Sequence, residues 1–260
     1  MTASAERPVG VFDSGIGGLS ILRALRVQLP HEHFVYFADT GHAPYGERGD
    51  AYVQARSLAI AQELVEQHHI KALVVACNTA TAAAIDLLRT QYPDLPIVGV
   101  EPALKPAAGL SRTGRIAVLA TRTTLESQRF KALHASLVSQ AQFILQPCDG
   151  LAEAIEQDDT TKMIAASAVF IRAAGQFGIK TGQIDTLVLG CTHYTLVHEL
   201  WATHVGRQVR IVETGTPTAR QTYRLLAEVN LLAPSDASAR LALLSTGPGS
   251  RLQAAAQRWL

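Results

Sequence analysis

Short runs of Val, Ile and Leu recur along this chain, separated by longer stretches in which apolar positions return every three or four residues. Nine runs predict strands: Val9–Phe12, Phe34–Ala38, Ala72–Ala76, Ile97–Val100, Ile116–Ala120, Gln142–Gln146, Thr186–Gly190, Arg210–Glu213 and Leu241–Ser245. They show little apolar–polar alternation, the mark of strands covered on both faces. The stretches between them predict helices over Leu19–Gln28, Ala51–Gln67, Ala80–Gln91, Leu125–Leu137, Thr161–Phe177 and Pro217–Glu228. Regular alternation of strand and helix predicts parallel sheets in a doubly wound α/β fold.

Two segments read as copies of one another. Residues 73–82 are L-V-V-A-C-N-T-A-T-A and residues 187–196 are L-V-L-G-C-T-H-Y-T-L. Upstream, V-G-V-F-D-S-G matches I-A-V-L-A-T-R-T-T. The step from Asp13 to Cys77 is 64 residues, and from Thr121 to Cys191 it is 70. This pattern predicts an internal repeat of one α/β unit. The expected architecture is two pseudo-symmetric doubly wound parallel-sheet domains, residues 1–100 plus 207–260 and residues 101–206, with the active site in the cleft between them. Pro102 and Pro106 fall where the chain leaves the first sheet and Gly206 where it returns, so the crossings form an expected hinge.

Bulk properties narrow the classes. With 260 residues, 48% hydrophobic and 17% charged, the chain is suited to a folded core rather than disorder. The formal net charge is +1 and the Lys and Arg residues are scattered, so neither nucleic acid nor a membrane surface is an expected partner. No apolar run approaches the roughly 18 residues of a membrane span. There are three cysteines, an odd number, and no CxxC pair. The opening M-T-A-S-A-E-R-P leads directly into a predicted strand without a signal-peptide pattern, which together with the cysteines predicts a reducing cytoplasm. Cys191 and His193 alone do not make a zinc ligand set, and no metal site is expected.

In open α/β sheets ligands bind beyond the carboxyl ends of the strands, and four segments put polar residues there. The first, Asp13-Ser14-Gly15-Ile16-Gly17-Gly18, resembles a phosphate loop but has neither the G-x-G-x-x-G pattern nor a following Lys. A tight strand-to-helix turn accounts for its glycines; a cleft-facing carboxylate at Asp13 is the functional alternative. The second, Ala38 to Gly46, offers a ring at Tyr45 and a close-approach amide at Gly46, and reads equally well as a structured turn. The third and fourth are Cys77-Asn78-Thr79 and Cys191-Thr192-His193. Each Cys sits just before a predicted helix, where unpaired amides favour an anion and a thiolate. Asn78, Thr79 and Thr192 can donate hydrogen bonds to a carboxylate. A lone buried Cys is ordinarily a small hydrophobe, but two in matching contexts favour chemistry. His193 is placed to tune or protonate Cys191, with a core histidine as the alternative. Cys148, in Q-P-C-D-G, has no such context and reads as structural.

Taken together, V-F-D-S-G-I-G-G-L-S, P-Y-G, A-C-N-T-A-T-A, G-V-E-P-A and L-G-C-T-H-Y-T-L, in this order and spacing, resemble the glutamate racemase family over residues 8–228. The resemblance implies a cofactor-independent enzyme that interconverts L- and D-glutamate and supplies D-glutamate for peptidoglycan. It implies Cys77 and Cys191 as the two acid/base groups, the first deprotonating the D enantiomer and the second the L enantiomer, each assisted by a neighbour, Asp13 and His193. It further implies substrate contacts at Ser14, Tyr45, Gly46, Asn78, Thr79, Thr121, Thr124, Glu156 and Thr192, and a homodimer. Two readings compete. Another racemase of the superfamily would act on aspartate or hydantoins, and a two-lobed glutamate-binding module would bind without turnover.

Overall fold

The computed structural model describes residues 2–260. The chain forms two compact units, one running up to Val100 and resuming over Gly215–Leu260, the other Glu101–Thr214. In chain order, the first unit contains α1 (Thr2–Ala5), β1 (Val9–Asp13), α2 (Leu19–Gln28), β2 (Phe34–Ala38), α3 (Asp50–His68), β3 (Ala72–Val75), α4 (Asn78–Gln91) and β4 (Ile97–Gly99). The second contains α5 (Leu104–Leu110), β5 (Arg115–Ala120), α6 (Arg122–Glu126), α7 (Gln128–Ala135), β6 (Gln142–Pro147), α8 (Leu151–Glu156), α9 (Thr160–Ala174), β7 (Thr186–Gly190), α10 (Thr192–Leu196), α11 (His198–Val205) and β8 (Arg210–Val212). The first unit closes with α12 (Gly215–Glu228), β9 (Leu241–Ser245) and α13 (Gly249–Trp259).

The first unit is built on a five-stranded sheet of order β4-β3-β1-β2-β9, every pair parallel. All residues of β1, β2 and β3 are buried, which explains why these runs are uniformly apolar. Helix α3 covers one face with the stripe Val53, Ser57, Ile60, Ala61 and Leu64, packed in one core with Phe12, Phe37, Leu73, Val75 and Leu88. Helices α2 and α12 pack against each other. Beneath the sheet, Lys71 and Glu32 form a buried ion pair at 2.5 Å. Lys71 also donates to the Ala5 carbonyl, and Glu32 accepts from the Ala233 amide at 2.8 Å, which ties the start of the chain and the segment after α12 to the pair.

The second unit carries a four-stranded parallel sheet of order β6-β5-β7-β8. Its core gathers Ile116, Val118, Val188, Leu104 and Phe130. Here the expected division of the chain shifts. Strand β8 pairs with β7, Thr186 opposite Arg210 and Val188 opposite Val212, so residues 207–214 belong to the second unit, and the first resumes at Gly215 rather than at 207. The helix expected over 125–137 is two helices. Ser127 ends α6 and caps α7, its hydroxyl accepting from the Phe130 amide at 3.1 Å, a bond that competes with continuous helix.

Both sheets are doubly wound, and both have the same switch point. After β1 the chain places β2 on one side and β3 on the other; after β5 it places β6 on one side and β7 on the other. Ligands bind outside the carboxyl ends of strands at such points. The β1–β3 ends carry Asp13 and Cys77; the β5–β7 ends carry Thr121 and Cys191.

Candidate active site

In the first unit β1 and β3 are in register up to Phe12 opposite Val75, and the Ala76 amide bonds the Phe12 carbonyl at 2.8 Å. That pairing delivers Asp13, Ser14 and Cys77 to adjacent strand ends. Asp13 is fully buried and folds its carboxylate onto the Gly15 amide at 2.9 Å. Tyr36, from the next strand, donates its hydroxyl to the Gly15 carbonyl at 2.7 Å and so clamps the turn. A Cβ at Gly18 would lie 2.6 Å from the Asp13 Cβ and 2.8 Å from the Tyr36 oxygen, so only glycine lets the turn close over the carboxylate.

Cys77 caps the fourteen-residue helix α4. Its sulfur accepts from the Ala80 amide at 3.4 Å and lies 3.7 Å from the Ser14 hydroxyl. The sulfur thus holds the place that Ser or Asp usually takes at a helix start, where amide donors and the helix dipole stabilise negative charge. Asn78 and Thr79 follow, both buried. The Asn78 amide nitrogen donates to the Val100 carbonyl at 3.2 Å, while its Oδ1 is buried without a hydrogen-bond partner among the described residues. The side chain expected to donate to a carboxylate therefore presents an acceptor instead.

Tyr45 and Gly46 lie in a single 3-10 turn, Tyr45–Glu47, with the Tyr45 ring buried. The ring is held by Asp39, which the sequence reading passed over. Asp39 is fully buried, and its amide donates to the Asp13 carbonyl at 3.0 Å. Its carboxylate takes the Tyr45 hydroxyl at 2.6 Å, both forks of Arg56 at 2.8 and 2.9 Å, the Thr246 hydroxyl at 2.8 Å and lies 2.9 Å from His42 Nδ1. Burial alone would push the Asp39 carboxyl up, but the donors from Arg56, Tyr45 and Thr246 outweigh it and hold the group below the usual carboxylate range. Burial, and then the neighbouring Asp39 charge, pushes the Tyr45 phenol far up, so it remains a donor.

In the second unit Cys191 follows β7, which ends at Gly190, where a Cβ would lie 2.9 Å from the Ala120 Cβ on the neighbouring strand. Cys191 precedes α10, which is only five residues long, and its side chain makes no cap bond. The donor here is His193. Its Nδ1 lies 3.8 Å from the Cys191 sulfur and its Nε2 lies 2.6 Å from Glu156 Oε1. Burial disfavours the charged ring, but the bonds to Cys191 and Glu156 and their charges outweigh burial and raise the His193 pKa well above the usual imidazole value. The two partners thus favour the charged form of the ring, in which both nitrogens are donors, one toward Glu156 and one toward Cys191. Thr192 is buried beside it, and Thr121 donates to Thr124 at 2.9 Å at the end of β5.

Cys148 is buried at the end of β6, with its carbonyl bound by the Tyr194 hydroxyl at 3.1 Å. Burial, with the adjacent Cys191 and Asp149, pushes its thiol far up, which keeps it protonated and inert. No disulfide joins the three cysteines. Among the described residues, no group of three His, Cys, Asp or Glu side chains is arranged to hold a metal ion, and no helix is long and apolar enough to cross a membrane. The expected site residues therefore fall into two clusters, one per unit: Asp13, Ser14, Tyr45, Gly46, Cys77, Asn78 and Thr79, and Thr121, Thr124, Glu156, Cys191, Thr192 and His193. Arg56 and Thr246, which support the first, carry no local sequence signal; Asp39 lies within the Ala38–Gly46 segment that follows β2.

Comparison with known proteins gives the family. Residues 19–222 match the Asp/Glu/Hydantoin racemase family. A glutamate racemase from Stutzerimonas stutzeri is 46% identical over 243 residues, covering 92% of this chain and 89% of its own. One from Pseudomonas paraeruginosa is 47% identical over 237 residues, covering 91% and 88%. Among solved structures, a glutamate racemase isoform from Bacillus anthracis superposes with a TM-score of 0.84 at 31% identity, covering 98% of this chain and 94% of its own. The Escherichia coli glutamate racemase in complex with L-glutamate and the activator UDP-MurNAc-ala superposes with a TM-score of 0.83 at 33% identity, covering 97% and 95%.

Proposed function

The chain belongs to the Asp/Glu/Hydantoin racemase family, and from that membership we propose that it is a glutamate racemase, an isomerase that interconverts L- and D-glutamate without a cofactor and supplies D-glutamate for peptidoglycan. The observation that carries the reading is the repeated strand–Cys–helix turn, at the same switch-point position of two parallel sheets. Inverting a carbon by proton transfer requires one group to remove the proton and a second to return one on the opposite face. Two thiols in matching turns supply that pair: Cys77 acts on D-glutamate and Cys191 on L-glutamate.

The α-proton of an amino acid is a weak acid, so the carbanion-like transition state needs preorganised donors. In the first unit Asp13 assists Cys77, and Ser14, Thr79 and the Tyr45–Gly46 turn hold the substrate. The buried acceptor of Asn78 suits the substrate ammonium. In the second unit His193, charged and braced by Glu156, assists Cys191, while Thr121, Thr124 and Thr192 supply hydroxyls. At any moment one sulfur is thiolate and the other thiol; each turnover exchanges those states, and proton exchange with solvent resets them for the next.

The test is circular dichroism of L-glutamate with purified protein, reductant and no added cofactor. Decay of the signal to zero supports the reading. A flat trace, with L-aspartate or a hydantoin then racemised by the same sample, moves the substrate to another member of the family; binding of glutamate without turnover makes the chain a binding module. A cytoplasmic homodimer completes the proposal, and a monomer in sedimentation would remove that part of it.

A further inference from the structure

The Asp39 carboxylate is a junction, and one of its arms comes from a part of the chain remote in sequence. Thr246 follows β9, 207 residues after Asp39, and lies outside the stretch matched by the family, residues 19–222. Its hydroxyl donates to Asp39 Oδ1 at 2.8 Å and accepts from the Gly41 amide at 3.0 Å. Beside it, the hydroxyls of Thr40 and Ser245 lie 2.7 Å apart, and the Gly247 amide donates to Ser245 at 3.1 Å. The fit leaves no room: a Cβ at Gly247 would lie 2.4 Å from the Thr40 hydroxyl, and one at Gly41 would lie 3.0 Å from the Thr246 carbonyl. The β2–β9 register, ending at Ala38 opposite Ser245, brings the two turns together.

Building on the glutamate-racemase reading, we propose that Thr246 is a positioning residue for substrate binding. It fixes the Asp39 carboxylate, which in turn fixes the Tyr45 hydroxyl and the Tyr45–Gly46 turn, so the closing strand of the chain helps set the affinity for glutamate. Asp39 has two oxygens and several donors. Arg56 and Thr246 meet at Oδ1, while Tyr45 shares Oδ2 with Arg56. Without the Thr246 hydroxyl, Oδ1 keeps Arg56 and His42 but loses its tie to β9, and the Gly41 amide loses its acceptor. Thr246 itself is exposed, so its substitution spares the core.

The experiment is steady-state racemisation in both directions, with thermal unfolding, for the unmodified chain, T246V and T246S. T246V keeps the shape and removes the hydroxyl; T246S keeps the hydroxyl. The expected result is a KM for glutamate raised about three- to tenfold in T246V, about the worth of one ordinary hydrogen bond because Thr246 acts on the substrate only through Asp39, with kcat and Tm little changed and T246S restored. An unchanged KM in T246V overturns the proposal. So does a joint fall of kcat and Tm that T246S does not repair, because that is general loosening rather than positioning. If the unmodified chain shows no turnover, the racemase reading fails, and this proposal with it; a turning-over parent with an indifferent T246V isolates the failure to Thr246.

Discussion

The two units reach one arrangement of strands and cysteine by different local chemistry. At Cys77, a fourteen-residue helix ends on the sulfur and an amide donates to it at 3.4 Å. At Cys191, the helix is five residues long, the sulfur makes no cap bond, and the His193 ring, bound to Glu156, lies beside it. The turns after the outer neighbours differ as well. After β2 stands the charged Asp39 junction; after the equivalent β6 stands an inert Cys148 whose carbonyl is tied to Tyr194. The repeated scaffold holds its thiol at one position and sets different donors beside it, a backbone amide at Cys77 and the His193 ring at Cys191. A backbone donor is fixed in strength, whereas an imidazolium can be titrated and can move a proton. Substitutions beside the two thiols are therefore expected to differ in the size of their effect and in its pH dependence.

The largest effect expected is the loss of either thiol. C77S and C191S each lower racemisation by about 10²–10⁴-fold, the range for removing a positioned acid or base. The polarimetric trace checks this, and retention of more than about a tenth of the turnover by either variant would break the symmetry on which the account rests.

Next comes the charged junction of the first unit, which has no counterpart in the second. Arg56→Leu leaves the buried Asp39 without its guanidinium and costs about 3 kcal/mol in denaturant unfolding, typical of breaking a buried pair from one side. Because the native Asp39 pKa is lowered, its contribution is present above the unfolded carboxylate value and fades as pH falls through the native one. The deficit of Arg56→Leu is therefore largest near neutrality and shrinks in acid. A deficit unchanged down to strongly acidic pH would mean that Asp39 is not the group Arg56 serves.

H193Q sharpens the contrast at the cysteines. It removes the donor from Cys191 and leaves Cys77 untouched; because the two enantiomers are equal in energy, kcat/KM is expected to fall equally in both directions, by roughly tenfold, about the worth of one hydrogen bond. Ser14→Ala, at 3.7 Å from Cys77, is expected to cost only a few-fold, since amide donors remain. Equal effects of the two substitutions would erase the difference between the units.

The smallest effect concerns Glu156. The native His193 pKa is raised, so the pair contributes stability that is fully present below the ordinary imidazole value and is lost as pH rises through the native one. Glu156→Gln is expected to lower stability by about 1 kcal/mol in mildly acidic buffer and by less in alkaline buffer. Denaturant midpoints at the two pH values check it, and a larger loss on the alkaline side would reverse the sign.

What could be read from the sequence follows from where each signal lies. Phe34–Ala38 and Thr186–Gly190 were legible because a strand buried on both faces must be continuously apolar. The two Cys turns were legible because a repeat announces itself. The allegiance of β8 was not, because a three-residue strand is assigned by its partner rather than by its own residues. The break at Ser127 was hidden in a run of good helix formers, and is decided by one hydroxyl. Glu156 was reached only through the family resemblance, since it meets His193 across 37 residues, and Arg56 and Thr246 were not reached at all, lying 17 and 207 residues from Asp39. Apolar periodicity reports burial, while polar partnerships of this kind exist only once the sheet has brought its strand ends together.

The central claim is that two different groups handle the proton on the two faces of the substrate. The most direct measurement is racemisation of L-glutamate in D2O, stopped early, with α-deuterium measured separately in each enantiomer. Two thiols predict deuterium in the newly formed D-glutamate and almost none in the remaining L-glutamate, because the proton taken by one sulfur is not the one returned by the other. Early deuterium at equal rates in both enantiomers would mean a single group serving both faces, and would contradict the account.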